Sequence, residues 1–498
     1  MLKINQIYIR LLFLLMIIVV ALGAARAADQ DQFDVFSLEV AGDIFGYVLG
    51  DFDGNRRQDI VLIYSPYDNY EARYLGLFLQ NERGRYNSRP DYLSPLTSRA
   101  AQINAHDIDD NGISELLIIG SDDVSVVRFT ANSGFTDPDR IIKQRTTFAF
   151  PLFHGILVTP FIFDLTEAPG LEMIIPGVKG YHIYEKSENG EYRILNQLYV
   201  PITSRNSGRG LKDFTGRKSL NIQLSFADIY VADGNLDGRD DLYFLWDRKL
   251  CLFFQDESGN FAQTPDFELD FYPADTRGHF ESILTDFNGD RRPDAVVSYS
   301  TGGITNTETR IRFYPSGTDG RITPVYSREI TLSDSHCNLI LGDYDGDNNP
   351  ELVVPAIEIG SLAVTKMLLM KKADLHLLIY NFERGNPTNE PVERIKYGFR
   401  FNFDDPCPTG EITVSWSADF NGDRLNDLVF SDGNGKAKFF WGRENEYLST
   451  KPDIEINLDH PLEFHSVDLG SGTPRDIIVE HYSSGKTGRL TVLKNRKI

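Results

Sequence analysis

The stretch DFDGNRRQD, residues 51–59, returns five times with its acidic positions intact: DIDDNGISE at 107–115, DGNLDGRDD at 233–241, DFNGDRRPD at 286–294, DYDGDNNPE at 343–351 and DFNGDRLND at 419–427. Each copy carries oxygen side chains at positions 1, 3, 5 and 9. These are Asp51, Asp53, Asn55 and Asp59; Asp107, Asp109, Asn111 and Glu115; Asp233, Asn235, Asp237 and Asp241; Asp286, Asn288, Asp290 and Asp294; Asp343, Asp345, Asp347 and Glu351; and Asp419, Asn421, Asp423 and Asp427. Two further copies keep their ends and lose their middles, one reading Asp164, Thr166, Ala168, Glu172 and the other Asp468, Gly470, Gly472, Asp476. A hard cation such as calcium takes six to eight oxygens, and a tight loop can aim alternate side chains at one centre while position 7 adds its carbonyl. Every intact copy has glycine at position 4 or 6 (Gly54, Gly112, Gly238, Gly289, Gly346, Gly422), where a sharp reversal needs a residue without Cβ. The pattern therefore predicts about six calcium sites and two degenerate loops that stay empty.

The residues after the ladders exclude a helix-flanked EF-hand, whose twelfth residue is a bidentate Glu. Here position 12 is Leu62, Val297, Val354 or Phe430 in four of the copies. Each ladder runs into a short β-rich segment, as in DIVLIY from Asp59, DLYFLW from Asp241, DAVVSY from Asp294 and DIIVEH from Asp476. A second apolar run precedes each ladder, such as GYVLG before Asp51 and NLILG before Asp343. The unit is strand, acidic loop, strand. Ladder starts at 51, 107, 164, 233, 286, 343, 419 and 468 are spaced by 49 to 76 residues, one four-stranded blade per interval. The expected fold is an all-β propeller of eight antiparallel blades, with seven as the alternative. Only three strands fit the last blade, and FDVFSLEV at 33–40 supplies the missing outer strand and closes the ring.

This repetition resembles the FG-GAP or VCBS-type repeats of integrin α-chain propellers and of many secreted bacterial proteins. Phe45-Gly46 is present, but no Gly-Ala-Pro comes after it, so the likeness rests on the loop half of the signature. It implies a calcium-bearing propeller whose ligand-binding face lies opposite the metal loops. The seven-bladed alternative also comes from these relatives.

Residues 1–27 read as a secretory signal peptide: Lys3 and Arg10, then an apolar run from Leu11 to Ala24, then Ala25-Arg26-Ala27 as a small-x-small cleavage site. The run is shorter than the ~20 residues of a bilayer span, and no later segment is long and apolar enough to be one. The mature chain, 28–498, is expected to be a single propeller domain, secreted or periplasmic. Removing Lys3, Arg10 and Arg26 and no acids takes the formal net charge from −22 to −25, which argues against nucleic acid as a partner. Of the three cysteines, Cys251 in KLCLFF is expected to be buried, and a bridge between Cys337 and Cys407 is open.

No HExxH, GxSxG, phosphate loop or zinc spacing occurs. His279, His336 and His460 stand seven or eight residues before their ladders and are expected near one end of the inner strands as polar channel lining. The two longest intervals place extra residues at 203–220 and 360–373 on the end opposite the acidic loops. Thr203–Leu220 holds Arg205, Arg209, Lys212, Arg217 and Lys218 against the single acid Asp213, and so reads either as a patch for an anionic ligand or as a solvated loop. The expected function is an extracellular binding or adhesion module for protein or glycan. A propeller-fold polysaccharide lyase or hydrolase, or a structural scaffold, are the alternatives.

Overall fold

The runs directly after the ladders are apolar at successive positions because each forms a blade's second strand, buried on both faces. In Asp59–Ser65, Ile60, Leu62 and Tyr64 pack toward one neighbouring blade and Val61 and Ile63 toward the other. The computed structural model describes residues 32–69, 72–149, 156–168, 170–206, 222–246, 248–273, 275–302, 307–333, 335–337, 339–358, 365, 369–383, 385–400, 414–431, 435–458, 461–470, 472–481 and 487–496. The signal-peptide segment, Cys407 and His460 lie outside these residues. Among them, no helix is long and apolar enough to cross a membrane.

Eight antiparallel blade sheets succeed one another along the chain. Blade 1 runs Asp43–Gly50, Asp59–Ser65, Arg73–Phe78 and Tyr92–Leu96 from the inside outward, and blades 2 to 7 repeat this order. In blade 6 the inner strand is broken into Ser335–Cys337 and Ile340–Gly342, both paired with Glu351–Glu358. Blade 8 contributes Pro461–Val467, Asp476–His481 and Gly488–Asn495 from the C-terminal end, and Phe33–Val40 pairs antiparallel with the last of these over its whole length. The eight-bladed expectation and the closing strand both hold. Phe33 enters the core between blades 7 and 8, whereas Leu38 and Val40 enter the core between blades 8 and 1, so one strand seals two seams. The Arg496 guanidinium meets Asp34 at 2.8 Å, and Gln32 donates from Nε2 to the Phe420 carbonyl at 2.6 Å.

Among the described residues, eight apolar clusters, one per blade–blade interface, make up the core. Position 2 of the acidic loops supplies an anchor to them: Phe52, Ile108, Leu165, Phe287, Tyr344, Phe420 and Leu469 are all buried. Gly234 is the exception, and Tyr243 from the next strand takes its place. A Cβ on Gly234 would sit 1.8 Å from the Tyr243 hydroxyl oxygen. Cys251 is fully buried between blades 3 and 4, and burial pushes its thiol up to about 12, so it is an unreactive packing residue.

Each ladder connects its blade's inner strand to the second strand, so all eight loops fall on one face of the ring. The long connections fall on the other. Thr203–Asn206 and Ile222–Ser225 form a hairpin that leads into the inner strand Asp228–Ala232 at its end away from Asp233. The side chain of Arg205, and all of Arg209, Lys212, Arg217 and Lys218, lie outside the described residues. Glu351–Glu358, a second strand, ends and Lys372–Tyr380, a third strand, begins on the same face as that hairpin.

Candidate metal loops

Position 1 of each intact loop gathers the turn around itself. Asp51 accepts from the amides of Gly54, Asn55 and Arg56 at 2.8, 3.0 and 2.5 Å. The amide at position 6 donates to position 1 in the other five as well: Gly112 to Asp107, Gly238 to Asp233, Arg291 to Asp286, Asn348 to Asp343 and Arg424 to Asp419. Wrapping the chain this tightly requires left-handed backbone at both positions 4 and 6. Glycine fills one of the two in every intact loop, and a side-chain-bearing residue is held in that region at the other: Arg56, Asp110, Leu236, Arg291, Asn348 and Arg424. Such strained residues persist where the surrounding structure enforces them, a pattern that clusters at binding sites.

Position 9 is different in kind. Asp59, Asp241, Asp294, Glu351 and Asp427 have no solvent exposure, and Glu115 is nearly as buried. Each accepts the amide of position 2, from Phe52 to Asp59 at 3.0 Å through Phe420 to Asp427 at 2.7 Å. A second amide arrives from the end of the third strand in four of them: Gln80 to Asp59, Gln255 to Asp241, Ser316 to Asp294 and Gly442 to Asp427. Burial raises these carboxyls, to about 7 in Asp59 and Asp294, about 6 in Asp241 and about 8 in Glu351 and Asp427; the amide donors oppose that rise and the neighbouring loop carboxylates add to it.

The donor set fits a hard divalent cation. In the loops at 51, 107 and 343, three carboxylates of each (Asp51, Asp53 and Asp59; Asp107, Asp109 and Glu115; Asp343, Asp345 and Asp347) bring ligand oxygens within 4.8 Å of one another. Glu351 Oε2 accepts the Tyr344 amide at 2.8 Å, but its Oε1 is buried without a hydrogen-bond partner among the described residues. A buried carboxylate oxygen left this way is costly unless a proton or cation meets it. In the loops at 233, 286 and 419, Asn235, Asn288 and Asn421 stand at position 3 and accept the position 5 amide through Oδ1, and Asn235 and Asn421 also donate from Nδ2 to the position 5 carboxylate.

The degenerate loops show what survives without the central oxygens. Glu172 accepts from the Leu165 amide and from the Thr166 hydroxyl, at 2.8 and 2.9 Å, so the threonine at position 3 closes the loop by hydrogen bonding. Asp476 accepts from the Leu469 and Asn495 amides at 2.9 and 2.7 Å. Beside it the loop turns differently, with positive φ at Gly470 and Gly472, positions 3 and 5, and Arg475 lies 4.0 Å from Asp468. Position 9 is thus retained for the fold, whereas positions 3 and 5 are free to erode.

Two features escape a reading of the ladders alone. The third strand of several blades ends in a second repeated turn on the loop face, NERGRY at 81–86, SENGEY at 187–192, DESGNF at 256–261 and GTDGRI at 317–322, whose spacing from the ladders is visible in the sequence. Within it, Gly84, Gly190, Gly259 and Gly320 take positive φ. Of the three histidines expected at the inner strands, His279 opens the strand His279–Thr285 with an exposed side chain, whereas the side chains of His336 and His460 lie outside the described residues.

Residues 286–354, the fifth intact or degenerate loop in chain order through the second strand of blade 6, match the FG-GAP-like repeat family. No curated protein matches the chain. Among solved structures the chain is similar to an Agrocybe aegerita lectin described by its specific recognition of non-reducing terminal N-acetylglucosamine, at 14% identity and a TM-score of 0.42 over 75% of this chain and 96% of that one. It is also similar to the V. cholerae biofilm matrix protein Bap1, at 10% identity and a TM-score of 0.42 over 93% and 88% of the two chains.

Proposed function

We propose that this eight-bladed propeller with its FG-GAP-like repeat is a secreted or periplasmic calcium-binding module that presents a loop face to an extracellular protein or glycan. The observation that supports this reading is the six-fold recurrence, on one face, of a loop in which a position 1 carboxylate collects backbone amides while oxygens at positions 3, 5 and 9 stand beside it. Calcium bound there supplies the positive charge that lets these carboxylates sit together. In four of the six loops position 9 also accepts an amide from the end of the third strand, so fixing the loop there also fixes the neighbouring turn. The chain's own residues then hold one face rigid, which limits the ordering cost of binding on the scaffold.

We further assign the basic residues of the connection between Thr203–Asn206 and Ile222–Ser225, two paired strands on the opposite face, to an anionic ligand such as an acidic polysaccharide, since paired guanidinium donors suit carboxylate and sulfate. Glycan and protein arrays probed with and without calcium test the reading. Binding that is calcium-dependent, and salt-sensitive binding to acidic glycans that is lost when Arg205, Arg209, Arg217 and Lys218 are replaced by serine, are the expected results. Retention of acidic-glycan binding by that variant, or its absence from the parent, contradicts the basic-face assignment.

A further inference from the structure

Away from the acidic loops, a second kind of donor set converges on blade 8. Glu463 and His465 lie on the inner strand Pro461–Val467, and Glu480 lies on Asp476–His481. The register sets Glu463 directly opposite Glu480, and His465, two residues along, shares their face. His465 Nε2 stands 3.4 Å from Glu480 Oε1 and 3.9 Å from Glu463 Oε2, and one ligand atom from each residue falls within 4.8 Å of the other two.

Two carboxylates placed directly across an antiparallel pair repel each other. Among the described residues neither glutamate forms an ion pair with a lysine or arginine, so the imidazole is what stands between them. Tyr47 of blade 1 closes one side, its ring packed edge-on against His465 with centroids 5.8 Å apart. The tyrosine hydroxyl is held well above its usual range by burial and then by Glu480 and Glu463, in keeping with negative charge concentrated at this spot. His465 and Glu480 are only partly buried and Glu463 is more open, so an ion has access.

We infer that Glu463, His465 and Glu480 form a site for a divalent transition metal of the zinc class, beside the seam where the last blade meets the first. The donor set separates this site from the loops: an imidazole nitrogen with two carboxylates suits zinc, whereas calcium takes oxygens. Metal–ligand bonds of about 2.0–2.1 Å in a tetrahedron put neighbouring donor atoms about 3.3 Å apart, so the observed spacing needs only small side-chain rotations. Tyr47 blocks one approach and leaves the remaining coordination to water.

Zinc titration of the full-length mature protein by calorimetry, in millimolar calcium so that the oxygen loops are filled, tests this, with cobalt(II) absorption as a second readout. One equivalent of zinc, weakened at least tenfold in both H465A and E480Q, is expected, with a cobalt spectrum of low-symmetry coordination that H465A abolishes. Melting curves of the variants in calcium that match the parent show that the loss is not unfolding, and E463Q, at the most open of the three positions, provides a variant that leaves the core untouched. No zinc uptake in calcium, or uptake that H465A and E480Q leave unchanged, overturns the site. A His465 that merely titrates as an imidazolium between the glutamates, seen by NMR without zinc binding, overturns it equally.

Discussion

The Phe52 amide and the Asp59 carboxylate are joined by a 3.0 Å hydrogen bond across the mouth of the first loop, and the same two positions are joined in all seven other loops, degenerate ones included. The ninth position therefore serves folding as well as the proposed ion binding, and the two roles should separate by mutation. Asp476→Ala, in a loop without the central oxygens, leaves the buried Leu469 and Asn495 amides unmatched. It should cost about 2–5 kcal/mol in urea unfolding, equally in calcium and in chelator. Asp53→Ala, at an exposed third position, should leave the chelated protein unchanged and reduce only the gain on adding calcium.

Gly234 is the one second position without an anchor, because Tyr243 occupies the space. Gly234→Ala should therefore destabilise by about 1–3 kcal/mol or more through overpacking. Tyr243→Phe in the same background should recover part of the loss in urea unfolding, since the nearest clash is with the hydroxyl oxygen.

The N-terminal strand pairs residue for residue with Gly488–Asn495 and buries Phe33, Leu38 and Val40. Deleting residues 28–40 should expose the edge of Gly488–Asn495 and open two apolar seams. Light scattering should show association of the truncated protein, and its melting temperature should fall; a monomer as stable as the parent would mean that the ring closes by other means.

Glu281, on the inner strand of blade 5, is half-buried, and this burial pushes its carboxyl up to about 7, only partly offset by the Leu339 amide. One of its oxygens, Oε2, has no hydrogen-bond partner among the described residues. Because its folded-state value lies above the unfolded one, the folded protein holds the proton more tightly. This contribution to stability is full below the unfolded value and is lost as pH rises to about 7. Glu281→Gln should thus stabilise the protein at pH 8 and change little at pH 4, as read from calcium-saturated melting curves at the two pH values.

Much of this molecule is written in its sequence. The acidic ladders, their spacing, the strands on either side and the closing role of Phe33–Val40 all come from local pattern, because a repeated loop and a two-faced strand leave periodic marks. The buried anchor at position 2 is equally visible, as Phe52, Phe287 and Phe420 sit between the acids, but its purpose needs the neighbouring blade. Other features have no local signature. The left-handed backbone at Arg56, Leu236 or Arg424 falls on residues that do not advertise it, and is imposed by the amides that converge on position 1. Glu463 and Glu480 meet only through strand register, with His465 between them. The second turn, from NERGRY to GTDGRI, repeats in plain sight, yet its partnership with the ladders emerges only when the third strand's end is seen to donate to position 9.

The central claim is that six oxygen-rich loops hold calcium and that the fold depends on it. Thermal unfolding of the mature protein in excess calcium and in excess chelator tests it most directly. Each filled site contributes about 2.7 kcal/mol when calcium stands at about one hundred times its dissociation constant, so chelation should lower the melting temperature substantially, and added calcium should restore it. Superimposable melting curves in calcium and in chelator would contradict the account.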